Sequence, residues 1–171
     1  MGTGLGQCPV LFGTVPTQQG QGQRMTRVDF YQLSRDPVDV TVVKLAGKVM
    51  QAGERLLVVA ADPALRERLG NALWAKGGGT FFANGPADAP HAARQPILVS
   101  DGCAAPNEAS IAILADGVWR EEASAFSRVM LLFDEAATEA ARNLWRDLAP
   151  REDIDNRIFK QTPEGGWREG R

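Results

Sequence analysis

Few side chains in this chain are equipped for chemistry. His91 is its one histidine, and Cys8 and Cys103 are its two cysteines. Zinc coordination takes about four Cys or His ligands at short spacings, so no metal is expected. A disulfide framework is equally disfavoured, which suits a reducing cytosol. Asp62, Asp101 and Cys103 each follow an apolar, strand-like run, where open α/β sheets place their ligands. Asp101 and Cys103 could form a nucleophile pair, but the base would have to be His91, which lies in a polar loop. The plainer reading makes the two aspartates turn and cap residues and Cys103 a packed thiol. No Gly-rich loop ending in Gly-Lys-Ser/Thr follows any strand, and no G-x-S-x-G elbow is present. No cofactor is expected.

The elements that would position these groups alternate between two kinds. Residues 28–33, 55–61, 96–100, 109–114 and 128–133 read as strands, several of them continuously apolar as in a sheet buried on both faces. Helices are expected over 37–52, 63–75 and 135–149. The first two open on Asp-Pro, an N-cap followed by proline at the first helical position. Val38, Val40 and Val42 alternate like a strand, yet Val38, Val42, Leu45 and Val49 keep a helical period over a longer run, which favours helix. Gly53 would end it. Residues 84–95 read as a loop, 119–127 as a short helix or turn, and 157–167 as a closing hairpin. Strands alternating with helices predict an α/β fold, doubly wound around a mostly parallel sheet.

The first 24 of the 171 residues are rich in Gly, Gln, Thr and Pro, with Arg24 the only charge. They read as a flexible extension, and the domain as 25–171. Lys plus Arg number 19 against 21 Asp plus Glu, a net charge of −2. Residues 138–171 hold seven basic and seven acidic side chains. That balance disfavours direct DNA binding as the main task, so DNA would be met only through a partner. No apolar run is long enough to cross a membrane.

Two surfaces stand out. In helix 135–149, Ala137, Ala141, Leu144 and Leu148 make a core stripe. Trp145 stands on its shoulder, with Thr138, Arg142 and Arg146 around it. An aromatic with arginines and small neighbours suits an apolar side chain that carries a carboxylate. The alternative is that Trp145 packs on the tail and the arginines are solvated. In helix 63–75, Trp74 falls far from the core stripe and is followed by Gly77-Gly79, Phe81 and Phe82. It reads either as an exposed apolar interface or as a ring folded back over Phe81 or Phe82.

Taken in order, VDFYQL at 28–33, KVMQAGERLLVVAAD at 48–62, RLGNALW at 68–74, PILVSD at 96–101, RVMLLFD at 128–134, AARNLWRDL at 140–148 and FKQTPEGGW at 159–167 resemble the chi subunit family of bacterial DNA polymerase III. The resemblance runs from Met25 to about Trp167. It implies a helicase-like, doubly wound fold without a P-loop and a non-catalytic, cytoplasmic replisome connector, monomeric or paired with psi. One surface would take the acidic, Phe-terminated C-terminal tail of single-stranded DNA-binding protein, at Arg142, Trp145 and Arg146. Another, at Trp74 and Phe81 with Phe82, would take the psi subunit and so reach the clamp loader. Thr138 stands where relatives often carry a basic residue, which leaves Lys160 or Arg157 to supply that charge. Phe82-Ala83-Asn84 replaces a Pro-His pair of the family, and residues 1–24 have no counterpart in it. Two rival readings stand beside this one: a small α/β enzyme around Asp62, Asp101 and Cys103, and a general interaction scaffold using the Trp74 patch.

Overall fold

The computed structural model describes residues 24–75 and 81–170. The N-terminal extension apart from Arg24, and the Gly77-Gly79 run, lie outside the described residues.

The elements run β1 (Thr26–Gln32), α1 (Val38–Gln51), β2 (Leu56–Val59), α2 (Pro63–Trp74), β3 (Asn84–Pro86), β4 (Ile97–Ser100), β5 (Ile111–Leu114), β6 (Arg128–Phe133), α3 (Thr138–Leu148), β7 (Ile154–Gln161) and β8 (Trp167–Gly170). One 8-stranded sheet has the order β3-β4-β2-β5-β6-β1-β7-β8. Every pair is parallel except β7 with β8. The apolar runs of β2 and β5 lie well inside the sheet, and all four residues of each are buried. This is the continuous patterning that two covered faces demand.

Two cores sandwich the sheet. One gathers Val42, Leu45 and Val49 of α1 and Leu69 and Leu73 of α2 over Leu56, Val58, Ile113 and Met130. The other gathers Ala141 and Leu148 of α3 over Phe30, Val129, Leu131 and Phe133. Helices therefore cover both faces, the doubly wound arrangement that the alternation of elements predicts. Within α1 the helical period prevails: Val42 is wholly buried, and Val40, two residues earlier, is exposed.

Several local expectations are corrected. Asp36 does not cap α1. Gln161 Oε1 accepts from the backbone N–H groups of Ser34, Arg35 and Asp36, and the Asp36 carboxylate turns to Lys44 and Gln161 Nε2. Pro37 is left at the cap position with no side-chain bond. Asp62 behaves as predicted, accepting from Ala64 N–H at 3.0 Å. Residues 84–95 are not loop throughout: β3 adds an edge strand to β4, and Ala92–Arg94 forms a 3-10 turn. Residues 135–137 precede α3 rather than open it. The closing hairpin exists, but its first strand begins at Ile154 and joins the main sheet beside β1.

The ends of β2 and β5 mark the point where the connections diverge, from β2 to one side and from β4 across to β5 on the other. Open sheets bind ligands there. In this chain Asp116 fills it. Its carboxylate accepts from Ala61 N–H at 2.9 Å and Val118 N–H at 3.2 Å, and takes both terminal nitrogens of Arg120 at 3.1 and 2.8 Å. Burial alone would raise the Asp116 pKa, but the Arg120 hydrogen bonds, the two backbone N–H groups and the Arg120 charge outweigh it and hold the group below the ordinary aspartate value.

Candidate functional site

The connection from β6 through α3 to β7 passes over β1, which lies between those two strands. Alternate residues of a strand face the same side of a sheet. Phe30 and Gln32 of β1, Phe133 of β6, and Ile158 and Lys160 of β7 thus point toward α3. With Thr138, Ala141, Arg142 and Trp145 they line a cavity of about 150 Å³. The floor is apolar. Trp145, half-buried, meets the Phe30 ring edge-on, with centroids 5.2 Å apart and planes at 60°. This is a favoured geometry for an aromatic pair.

The polar groups sit around that floor. Arg142 and Lys160 are exposed, and among the described residues neither makes an ion pair or a side-chain hydrogen bond. Thr138 Oγ1 donates back to the Asp134 carbonyl at 3.3 Å. Asn156 Nδ2 donates to the Trp145 carbonyl at 3.4 Å, and its buried Oδ1 has no partner among the described residues. Two cations without counter-charge beside an apolar slot can receive one apolar side chain together with a nearby carboxylate.

The structure therefore brings together Thr138, Arg142, Trp145 and Lys160, but not Arg146. That guanidinium donates to Asn143 Oδ1 at 3.2 Å and does not line the cavity. Arg157 is also elsewhere. Odd-numbered β7 residues face away from α3, and Arg157 pairs there with Asp155 at 3.1 Å. Lys160, rather than Arg157, is the basic group added to this site. Sequence reasoning missed Phe30, Gln32, Phe133 and Ile158. The usable signal was the crossover from β6 to β7, which puts one face of three strands beneath α3.

At the other end of the sheet, Trp74 and Phe81 are 50% and 59% exposed. Their rings stack with centroids 5.1 Å apart and planes at 23°. Trp74 folds onto Phe81, as one of the two readings has it, and the pair still faces solvent. Trp74 also borders a groove of about 330 Å³ with Arg66, Asn71, Asn84 and Pro86. Phe82 parts from the patch, because its side chain packs against the α1–α2 core and its N–H donates to the Leu73 carbonyl at 2.9 Å.

The strand-end residues do not assemble into one constellation. Asp62 caps α2. Asp101 and Cys103 line a shallow opening with Arg120 and Glu122. Burial pushes the Cys103 thiol above its ordinary pKa, away from the reactive thiolate. His91 is exposed and precedes the Ala92–Arg94 turn. Among the described residues there is no group of three or more His, Cys, Asp or Glu able to hold a metal ion, and no helix is long and apolar enough to cross a membrane.

Comparison with known proteins gives concordant matches. The family model described as DNA polymerase III chi subunit, HolC, matches residues 25–152. A curated relative, "Probable DNA polymerase III subunit chi" from Rickettsia prowazekii (strain Madrid E), is 23% identical over 152 residues, covering 84% of this chain and 91% of the relative.

Proposed function

We infer the function from one premise: this chain belongs to the DNA polymerase III chi subunit family, the accessory subunits of a replicative polymerase. We propose that it binds the acidic C-terminal tail of single-stranded DNA-binding protein in the Trp145 cavity, without catalysis of its own. The observation that carries this is the apolar slot between Trp145 and Phe30, flanked by the uncompensated cations Arg142 and Lys160. The tail's terminal Phe enters the slot. Its α-carboxylate meets Arg142 or Lys160, and the aspartates before it feel the remaining positive charge.

Burying a Phe side chain contributes about 1.5–3 kcal/mol. Each charge-assisted hydrogen bond adds about 1.5–3 kcal/mol. Ordering a flexible tail offsets part of the sum. A net near −8 kcal/mol corresponds to a roughly micromolar Kd. Such a contact exchanges readily, and several tails on one oligomer would strengthen it by avidity.

The test is fluorescence anisotropy with an acidic peptide ending in Ile-Pro-Phe, beside a copy lacking the final Phe. Saturable binding of the intact peptide alone supports the reading; equal binding of both, or of neither, rejects it. The exposed Trp74–Phe81 pair supports a second contact, the one expected to take psi and reach the clamp loader. Trp74→Ala should abolish co-elution with psi while keeping the tail peptide bound; retained co-elution would reject the assignment.

A further inference from the structure

Three arginines remote in sequence meet on the opposite face of β1 and β7 from the Trp145 cavity. Arg27 on β1 is the register partner of Arg128 on β6, and Arg157 on β7 is the partner of Asp29. The Asp29 side chain is completely buried beneath them. Its Oδ1 accepts from Arg27 Nε at 2.7 Å and its Oδ2 from Arg128 Nε at 2.7 Å. Arg128 also reaches the Tyr31 hydroxyl, at 3.3 Å. Asp155 holds Arg157 by its Nε in the same way. Buried or neighbouring carboxylates thus grip the inner edge of each guanidinium. Among the described residues, the terminal nitrogens of Arg27 and Arg157 have no further hydrogen-bond partner. The three side chains stay 34%, 32% and 41% exposed.

An aromatic lies within this group. Phe159, half-buried, stacks on Tyr31 with centroids 5.0 Å apart, and the Arg27 guanidinium stands 6.0 Å from its ring centre. A planar guanidinium fork suits phosphate and carboxylate alike. An aromatic set among cations favours nucleic acid, because every unpaired base offers a face to stack. Stacking needs a base that is out of its pair, which favours single strands over duplex.

We propose that the Arg27, Arg128, Arg157 and Phe159 face binds the phosphate backbone of single-stranded nucleic acid, with Phe159 as a platform for a base. Three arginines against Asp29, Asp155 and Glu169, the register partner of Phe159 on β8, leave no net local charge, so the face offers guanidinium forks rather than a strong positive field. The site therefore spans few phosphates and holds them weakly. Lying on the opposite face from the Trp145 cavity, it can be filled at the same time and does not depend on the tail reading. It also revises the expectation, drawn from overall charge, that DNA is met only through a partner.

The test is anisotropy of a fluorescein-labelled oligo(dT) titrated with the full chain over a range of low salt concentrations. The expected result is saturable binding, with log K falling against log[salt] at a slope of about −2 if all three arginines meet phosphates. Arg157→Glu should weaken it about tenfold and flatten the slope by about 0.7 or more. Phe159→Leu, which keeps apolar volume, should weaken it about fivefold or more by removing stacking. Both variants should keep the far-UV CD spectrum and the acidic-peptide affinity of the parent; should Arg157→Glu not fold, Arg157→Ala is read in its place. Lack of saturation, or unchanged affinity in the Arg157 variant, overturns the proposal. Equal binding of duplex overturns the single-strand assignment, and equal binding of a poly-glutamate peptide reassigns the face to an acidic protein segment.

Discussion

Arg142 and Arg146 stand one helical turn apart on α3, and helix periodicity alone treats them as equals. The structure does not. Arg142 lines the cavity without a counter-charge, whereas Arg146 is outside it and engaged with Asn143. Arg142→Ala removes one charge-assisted contact to the peptide carboxylate, a loss of about 1.5–3 kcal/mol, or roughly 10- to 150-fold in Kd. Arg146 can act on that carboxylate only through space. At about 8 Å in water two unit charges interact by about 0.5 kcal/mol, and screening at physiological ionic strength removes more than about half of it. Arg146→Ala should therefore change Kd by less than about twofold. Arg142→Lys should recover part of the loss, since charge returns without the planar fork. The assay is anisotropy titration of the Phe-terminated acidic peptide at three salt concentrations. Arg142→Ala should weaken binding and flatten the salt dependence. Equal losses for the two alanine variants would refute the placement of the carboxylate.

Other consequences concern stability and the separation of surfaces. Asp116→Ala strips Arg120 of its partner and leaves two backbone N–H groups without it, so urea denaturation near neutral pH should show a loss of about 1–3 kcal/mol. Because the native Asp116 pKa lies below the ordinary aspartate value, that contribution is fully present above the unfolded pKa. It is lost as pH falls through the native pKa, so the parent and Asp116→Ala stabilities should converge in acid; a constant gap would contradict the ion-pair origin. Gly117 has φ +69°, and a Cβ there would lie 2.8 Å from the Leu132 carbonyl oxygen. Gly117→Ala should cost about 2 kcal/mol or more by thermal or urea unfolding. Trp74→Ala removes an exposed ring stack worth about 0.5–1.5 kcal/mol of stability and should leave the peptide Kd within about twofold, because the patch beside β3 and the cavity over β1 are about five strand spacings apart across the sheet.

Legibility in the sequence followed how much of each signal is local. The central strands announced themselves because burial on both faces leaves only apolar residues. β6 was read to the residue, from Arg128 to Phe133. β3 was invisible, since Asn-Gly-Pro has no strand propensity and is extended only because β4 offers an edge to pair with. The Asp36 cap failed for a similar reason. Gln161, from the far end of the chain, reaches the backbone amides around it, and no spacing rule contains that contact. In the cavity, α3 displayed Thr138, Arg142 and Trp145 through its own period, but the strand half depended on sheet order. Lys160 was picked out for its charge. Phe30, Gln32, Phe133 and Ile158 looked like ordinary strand residues until register put them under one helix. The arginine face was hidden more deeply, because Arg27, Arg128 and Arg157 become neighbours only when β6, β1 and β7 lie side by side.

The contents of the β2–β5 crevice bear on why the proposed binding surfaces lie where they do. A phosphate seated at such a switch point would need backbone N–H donors and a guanidinium fork. Ala61 N–H, Val118 N–H and Arg120 are that set, and Asp116 already engages all of them. The carboxylate acts as a built-in anion, covalently tethered and so at a local concentration that a free ligand would have to exceed. An enzyme working around Asp62, Asp101 and Cys103 at this crevice would have to displace it, release a half-buried Arg120 from its ion pair and activate a thiol whose pKa burial raises. Each step opposes the energetics of the native state. The Trp145 cavity requires none of these changes. Its apolar floor is open, its two cations are uncompensated, and its walls are set by β1, β6 and β7, held in one parallel ladder. A doubly wound sheet whose switch point is internally satisfied keeps the rigidity of the fold without its usual ligand seat. The surfaces proposed for binding lie instead on its lateral faces, where α3 and the outer strands meet solvent.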